Sequence, residues 1–292
     1  MSNVVVVGGG AWGSALAVHC TRAGLDVALV PGRGLGDAAA GRAILVAVPM
    51  QHLRGVLPRL SGAAPLVLCC KGIETGRGRL PLEVAEEIWP GRPAAVLTGP
   101  NFAHEIAAGL PAAGVLAAAD AGLRGELIAM LGTKLFRLYG NDDVVGAQLG
   151  GAAKNVIAIA AGAVIGAGYG ENARAALVTR GLAELSRLIV AMGGRAETAS
   201  GLSGMGDLVL TCTGSGSRNF AYGLALGRGE RPRVERGVVE GVATAPALIA
   251  RATGVDLPIC SAVADVLAGK ATVKQVLASM MSRGVKEERV LF

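Results

Sequence analysis

The stretch Val4–Ala17, VVVVGGGAWGSALA, sets three consecutive glycines between a β-branched run and a helix-compatible series of small residues. Read as G-x-G-x-x-G, the motif falls on Gly8, Gly10 and Gly13, with a strand before it in Val4–Val7 and a helix after it from Ser14 to Cys20. In a dinucleotide-binding turn the first glycine makes the tight bend, the second lets the backbone approach a pyrophosphate, and the third lets helix and strand pack closely. A glycine motif on its own reads equally well as a loose turn. The chain that follows decides between the two.

From this motif to about Gly140, short apolar runs recur: DVALV, AILVAV, PLVLCC, AAVLTG, AAGVLAA and LFRLYG. Helix-compatible segments such as Ala11–Ala23 and Leu82–Ile88 lie between most of them. Strands without polar alternation are buried on both faces, and intervening helices make the crossovers that parallel strands need. The expectation is an α/β fold in which residues 1–140 form a doubly wound, Rossmann-type, mainly parallel sheet that binds NAD(P). Over residues 141–292 no comparable strand run is found, and an all-helical domain for substrate binding and catalysis is expected. Helices are expected over Asn172–Met192, Phe220–Leu226, Ala243–Ala252 and Ser261–Ala268. Another is expected to begin with Asn141 as its N-cap and Asp142 and Asp143 at the positive end of its dipole. The glycine-rich GLSGMGDLVLTCTGSG, Gly201–Gly216, encloses an apolar DLVLTC and reads as an ordered loop–helix–loop.

The 292 residues, 52% of them hydrophobic, suffice for two compact units and exclude a disordered chain. The formal charge of +6 is scattered, and four Phe, three Tyr and two Trp give few rings for base stacking. No nucleic-acid partner is expected; an anionic small substrate or coenzyme suits the balance. The five cysteines form no CxxC pair and the three histidines are dispersed, so neither a metal site nor a disulfide framework is expected. No basic segment precedes NVVVV, and the apolar run Val156–Gly168 is too short and glycine-rich to span a bilayer. The expectation is a cytoplasmic protein with no integral membrane segment.

The second strand run ends in Pro31, Gly32 and Arg33, without the acidic residue that would hold a ribose 2′-hydroxyl. Arg33 reads as a partner for a 2′-phosphate, a lean towards NADPH over NADH, or as a solvated surface arginine. Lys71 directly follows the apolar PLVLCC, at a strand end that faces the ligand crevice in this architecture. Lys154 follows Gly150, Gly151, Ala152 and Ala153, small residues that let another backbone or a coenzyme approach its amine. A partly desolvated amine is suited to exchange a proton with an alcohol. Ser217, Arg218 and Asn219 set a guanidinium between a hydroxyl and an amide, a donor group that matches a phosphate.

Together GGGAWGSALA, CCKGIETG, LTGPNFAHEIAAGLPAA, GAQLGGAAKNVIAIAAG, NARAALVTRGLAELSRL, GLSGMGDLVLTCTGSGSRN and VVEGVATA resemble bacterial-type NAD(P)-dependent glycerol-3-phosphate dehydrogenases over nearly the whole chain. The resemblance implies reversible hydride transfer between NAD(P)H and dihydroxyacetone phosphate, giving sn-glycerol 3-phosphate for glycerophospholipid synthesis, in a homodimer. By position it makes Lys154 the acid/base for the C2 oxygen, with Asn155 beside it. It gives Lys71, Gly99, Asn101, Asp207, Ser217, Arg218 and Asn219 to the substrate. To the coenzyme, besides the three motif glycines, it gives Ala11, Trp12, Gly32, Lys71, Ala103, Arg218, Val238 and Glu240, with Arg33 read from the strand end.

Three departures from that family stand out. Only PGRGLGDAAA separates the second strand from GRAILVAVP, where the family carries a longer segment with a helix; Asn101 stands where Ser or Thr is common; Val30-Pro31 replaces Trp-Gly. Two rival readings are a ketopantoate-type or other β-hydroxyacid dehydrogenase and a non-catalytic nucleotide sensor. Lys71 and Arg218 count against the first, and the retained Lys154 and Asn155 against the second.

Overall fold

Four valines in succession offer no polar face to water, and Val4–Val7 (β1) runs through the interior of a seven-stranded sheet at 3% exposure or less. The computed structural model describes residues 4–32, 41–214, 216–232, 237–282 and 284. The other strands are β2 (Val27–Val30), β3 (Ala43–Val46), β4 (Leu66–Leu68), β5 (Ala94–Thr98), β6 (Ala112–Ala117) and β7 (Phe136–Asn141). They lie in the order β2-β1-β3-β4-β5-β6-β7, one strand for each of the seven apolar runs. All neighbours are parallel except β5 and β6, where Thr98 faces Val115 in an antiparallel pair. Between these two the chain turns back through the six-residue α4 (Ala103–Ala108) and a left-handed Gly109.

Helices α1 (Ala11–Arg22), α4 and α5 (Ala121–Leu131) cover one face, packing Leu16, Cys20 and Leu127 onto Val4, Val6, Leu45 and Leu97. Helices α2 (Met50–Val56) and α3 (Pro81–Ile88) cover the other, with Leu53 and Val84 against Val5, Val7, Ile44 and Val46. Beyond β7 the described residues form helices: α6 (Val144–Gly166), α7 (Gly170–Ala191), α8 (Ala196–Ala199), α9 (Asp207–Cys212), α10 (Arg218–Gly227), α11 (Glu240–Arg251), α12 (Pro258–Leu267) and α13 (Val273–Met281). A wide π-helical turn, Leu202–Gly206, leads into α9. Helix α6 is long and apolar enough to cross a membrane, but 83% of its most apolar window is buried inside the protein. It is the axis of the helical region's core.

Helix α6 begins later than the sequence suggests. Asn141 ends β7, paired with Ala117, and its side chain accepts from Asp143 N at 2.8 Å. The cap is Asp143, which accepts from Gly146 N at 2.8 Å, Arg195 N at 2.9 Å and Thr198 Oγ1 at 2.6 Å. A carboxylate can satisfy all of these donors in a buried position; a carboxamide has a single acceptor oxygen.

Helices α6 and α10 meet backbone to backbone. A Cβ on Gly162 would sit 2.0 Å from Phe220 O, and one on Gly223 would sit 1.9 Å from Ile159 O; Gly166 and Gly227 repeat the pattern one turn on. Only glycine permits this approach. It brings the first residues of α10, Arg218 and Asn219, alongside the segment of α6 that carries Lys154 and Asn155.

Candidate active site

Gly150 and Gly151 lie one turn before Lys154, and the space their missing side chains leave is taken by other elements. A Cβ on Gly150 would stand 2.4 Å from Ser203 O in the π-helical turn. One on Gly151 would stand 2.9 Å from Thr98 Oγ1 and 3.3 Å from Lys71 Cγ. The small residues thus admit the end of β5, the Lys71 stem and the entry to α9 to a single spot on α6.

Asp207, the first residue of α9, is wholly buried there. Its Oδ1 accepts from Lys154 Nζ at 2.6 Å and its Oδ2 from Lys71 Nζ at 2.5 Å. Lys71 also donates to Gly99 O at 2.9 Å, and Lys154 to Thr211 Oγ1 at 3.1 Å. The Thr211 hydroxyl in turn donates to Asp207 O at 2.6 Å. One carboxylate faces two amines, so with both protonated the cluster carries a surplus positive charge. Burial pushes the Lys71 amine down to about 8; Asp207 opposes that shift and the Lys154 charge adds to it.

A second chain of polar contacts orients the neighbouring amides. Asn155 Oδ1 accepts from Asn219 Nδ2 at 2.9 Å, and Asn219 Oδ1 accepts from Gly241 N at 2.9 Å. Ser217 caps α10, accepting from Phe220 N at 3.2 Å. Arg218 is exposed and passes so close to Gly237 that a Cβ there would stand 1.9 Å from its Nη1.

The glycine turn has the geometry of a close-approach loop. Gly8 takes φ +121°, donates to Val30 O at 2.9 Å, and has Ala47 O only 2.6 Å from where a Cβ would lie. A Cβ on Gly13 would collide with Gly8 O at 1.8 Å, which is the tight packing of helix on strand. Gly10 has open space on its side-chain side, just ahead of Ala11 and Trp12, the first residues of α1. Gly32 follows β2, with Arg59 Nη1 donating to its carbonyl at 3.2 Å. Arg33 lies outside the described residues.

Across the cleft, Glu240 opens α11 beside the half-exposed Val238. Burial raises its carboxyl to about 7, against the pull of the nearby Met50 backbone amide and of Arg218. Glu240 Oε2 and Asn101 Oδ1 are both buried without a hydrogen-bond partner. Buried acceptors left open in this way call for a donor from elsewhere. With the glycine cradle they fit a coenzyme rich in amide and hydroxyl donors. Ala103 starts α4, and the adjoining Phe102 ring lies against Gly216 and stacks on His104 at 5.6 Å. Among the described residues no group of His, Cys, Asp and Glu is placed to hold a metal ion.

The structure therefore joins Lys71, Gly99, Lys154 and Asp207 in one hydrogen-bonded cluster, with the Asn155–Asn219 pair as a second network beginning at the residue next to Lys154. Asp207 is fully enclosed, and both its carboxylate oxygens are taken by the two lysines. Thr211, which accepts from Lys154, also joins this cluster and is not singled out by the sequence. The Asp207–Thr211 spacing of four within a helix was the available signal for Thr211.

The sequence model of the NAD-dependent glycerol-3-phosphate dehydrogenase C-terminus matches residues 143–278, and that of the N-terminus matches residues 34–123. Glycerol-3-phosphate dehydrogenase [NAD(P)+] of Acidiphilium cryptum is 55% identical over 313 aligned positions, covering 97% of this chain and 98% of the relative. The corresponding protein of Gluconobacter oxydans is 47% identical, covering 96% and 97%. Among solved structures, glycerol-3-phosphate dehydrogenase of Coxiella burnetii superposes with a TM-score of 0.87 at 32% identity, covering 96% of this chain and 98% of that one. A PanE/ApbA-family ketopantoate reductase from Ralstonia eutropha reaches a TM-score of 0.56 at 16% identity, a likeness of fold alone.

Proposed function

The chain belongs to the NAD-dependent glycerol-3-phosphate dehydrogenase family, and from that premise we propose that the cluster around Asp207 reduces dihydroxyacetone phosphate to sn-glycerol 3-phosphate and runs the reverse oxidation. It is an NAD(P)-dependent oxidoreductase. When bound, the coenzyme supplies or accepts the hydride at C2. Lys154, as an ammonium, polarises the C2 carbonyl and donates the proton to its oxygen; as an amine it takes that proton back. Asp207 and Thr211 fix the Lys154 amine by the bonds at 2.6 and 3.1 Å. Asn155 and Asn219 hold each other's amides in place beside it.

Arg218, at the start of α10, binds the phosphate, and Lys71 contacts substrate and coenzyme, with Gly99 and Asn101 lining the pocket. The glycine turn, Ala103, Val238 and Glu240 hold the coenzyme. Residues 1–140 form the coenzyme-binding domain and residues 141–292 the catalytic one, in a cytoplasmic homodimer.

The observation that carries the reading is the shared Asp207, which joins a lysine of the sheet domain to a lysine of the helical core at 2.5 and 2.6 Å. Initial rates with dihydroxyacetone phosphate against NADH and NADPH test it directly. Coenzyme oxidation with ketopantoate and none with dihydroxyacetone phosphate would overturn it.

A further inference from the structure

The segment after β4, from Lys71 to Leu80, leaves the sheet and enters the helical region. Ile73 and Leu80, at 0% and 1% exposure, belong to the helical core and not to either sheet core. Its return is locked at α3. Glu83 Oε2 accepts from Leu80 N at 2.7 Å, and Gln148 of α6 accepts from Leu82 N at 2.8 Å. Arg251, the last residue of α11, closes the arrangement: Nη1 and Nη2 each reach Glu83 at 2.7 Å, and Nη1 also donates to Gly78 O at 2.6 Å. Gly72, directly after Lys71, would place a Cβ 3.0 Å from Thr244 Oγ1 of the same α11.

Helix α11 thus touches the coenzyme-binding half at two places along its length, through Thr244 beside Gly72 and through Arg251 on α3. Its twelve residues span about 18 Å. A bidentate guanidinium–carboxylate pair fixes direction as well as distance.

We propose that Arg251 and Glu83 are positioning residues of this enzyme: the pair holds the Lys71–Leu80 segment in the helical core and so sets the Lys71 amine on Asp207. Neither side chain joins the cluster around Asp207; both act through Lys71. The kinetic consequence rests on the function proposed above, whereas the placement of Lys71 does not.

The test compares Arg251→Gln, Glu83→Gln and Arg251→Lys with the unaltered chain. Three quantities are read: kcat and KM for dihydroxyacetone phosphate, the NADPH dissociation constant by fluorescence titration, and the rate at which an amine-reactive reagent modifies Lys71, by peptide mass spectrometry. For Arg251→Gln and Glu83→Gln the expected result is a KM raised and a kcat lowered by about tenfold each. Lys71 should be labelled faster, and NADPH affinity should fall by less than KM rises, because Lys71 is one coenzyme contact among several and the glycine turn is not part of the segment. Arg251→Lys keeps one bond to Glu83 and recovers most of the loss. Folded variants whose KM, kcat and Lys71 labelling all stay within about twofold of the unaltered chain would overturn the proposal. If the glutamine variants do not fold, the same criterion applies to Glu83→Asp, whose shorter side chain withdraws the carboxylate from the guanidinium. An unaltered chain that fails to reduce dihydroxyacetone phosphate would refute the function, and the labelling rates would still decide the positioning role.

Discussion

Lys154 and Asp207 stand 53 residues apart in the chain, yet the amine and the carboxylate meet at 2.6 Å in a spot where the carboxylate has no access to water. Removing the carboxylate leaves the two amines that share it without a counter-charge, which costs roughly 3–5 kcal/mol. Asp207→Asn is therefore expected to lower both stability and turnover. Urea unfolding should show a loss of that order, and kcat should fall by about 100-fold or more. An Asp207→Asn enzyme with normal turnover would remove the carboxylate from the proposed mechanism.

Lys154→Ala separates chemistry from binding. We expect kcat to fall by about 10²–10⁴-fold, the range for a lost general acid, with NADPH still bound. Arg218→Ala should act differently, mainly raising KM for the phosphorylated substrate and sparing any residual turnover of unphosphorylated dihydroxyacetone. Steady-state kinetics with both ketones distinguishes the two roles.

The Lys71 amine is held at about 8, against 10.5 for an ordinary lysine. It carries its charge below that pH and loses it above, so KM for an anionic substrate should climb above pH about 8. In Lys71→Arg, where the charge persists, the climb should vanish even if the rate is lower. Stability moves the other way. Between about 8 and 10.5 the unfolded chain holds a proton that the folded chain has released, so this group makes the fold more stable as pH rises through that window.

Glu240 has the opposite linkage. Its carboxyl is raised from 4.5 to about 7, so the folded chain binds the extra proton, and stability should decline as pH rises from 4.5 to 7. Glu240→Gln is expected to flatten that part of the curve in thermal melts taken across the same range. A slope unchanged by the substitution would place the titration elsewhere.

The glycine contact between α6 and α10 invites a steric test. Gly223→Ala would set a methyl group 1.9 Å from Ile159 O, and overpacking of this kind costs typically about 1–3 kcal/mol. The helices must separate to relieve it. KM for the phosphorylated substrate should then rise, because Arg218 moves with α10 while Lys154 stays on α6.

Strands β1, β3 and β4 were legible because a strand buried on both faces needs an unbroken apolar run, and the partly exposed β2 and β7 because their short apolar runs continue the same recurrence between helical segments. The glycine turn was legible for a similarly local reason, since positive φ at Gly8 and the contact of Gly13 with Gly8 are demands on single residues. The start of α6 was not, because Asn141 and Asp143 are both acceptable caps locally; Arg195 and Thr198, far along the chain, make the aspartate the better one. Lys71 and Lys154 could be named from their neighbours in sequence, and Asp207 from the family resemblance. That one carboxylate serves both lysines could not, because the pairing depends on how the π-helical turn and the end of β5 settle into the gap beside Gly150 and Gly151. Arg251 left no local trace, ending an ordinary amphipathic helix.

The place of β2 in the strand order has a bearing on how this chain differs from its relatives. Alignment with the Acidiphilium cryptum protein runs over 313 positions against the 292 residues here, and the stretch following β2 is short. Strand β2 pairs with β1 alone, at the margin of the sheet, so a loss of residues beyond it disturbs no second partner. A change of length at that margin is topologically cheap, because the inner strands β1, β3, β4 and β5 keep their neighbours whatever joins β2 to β3.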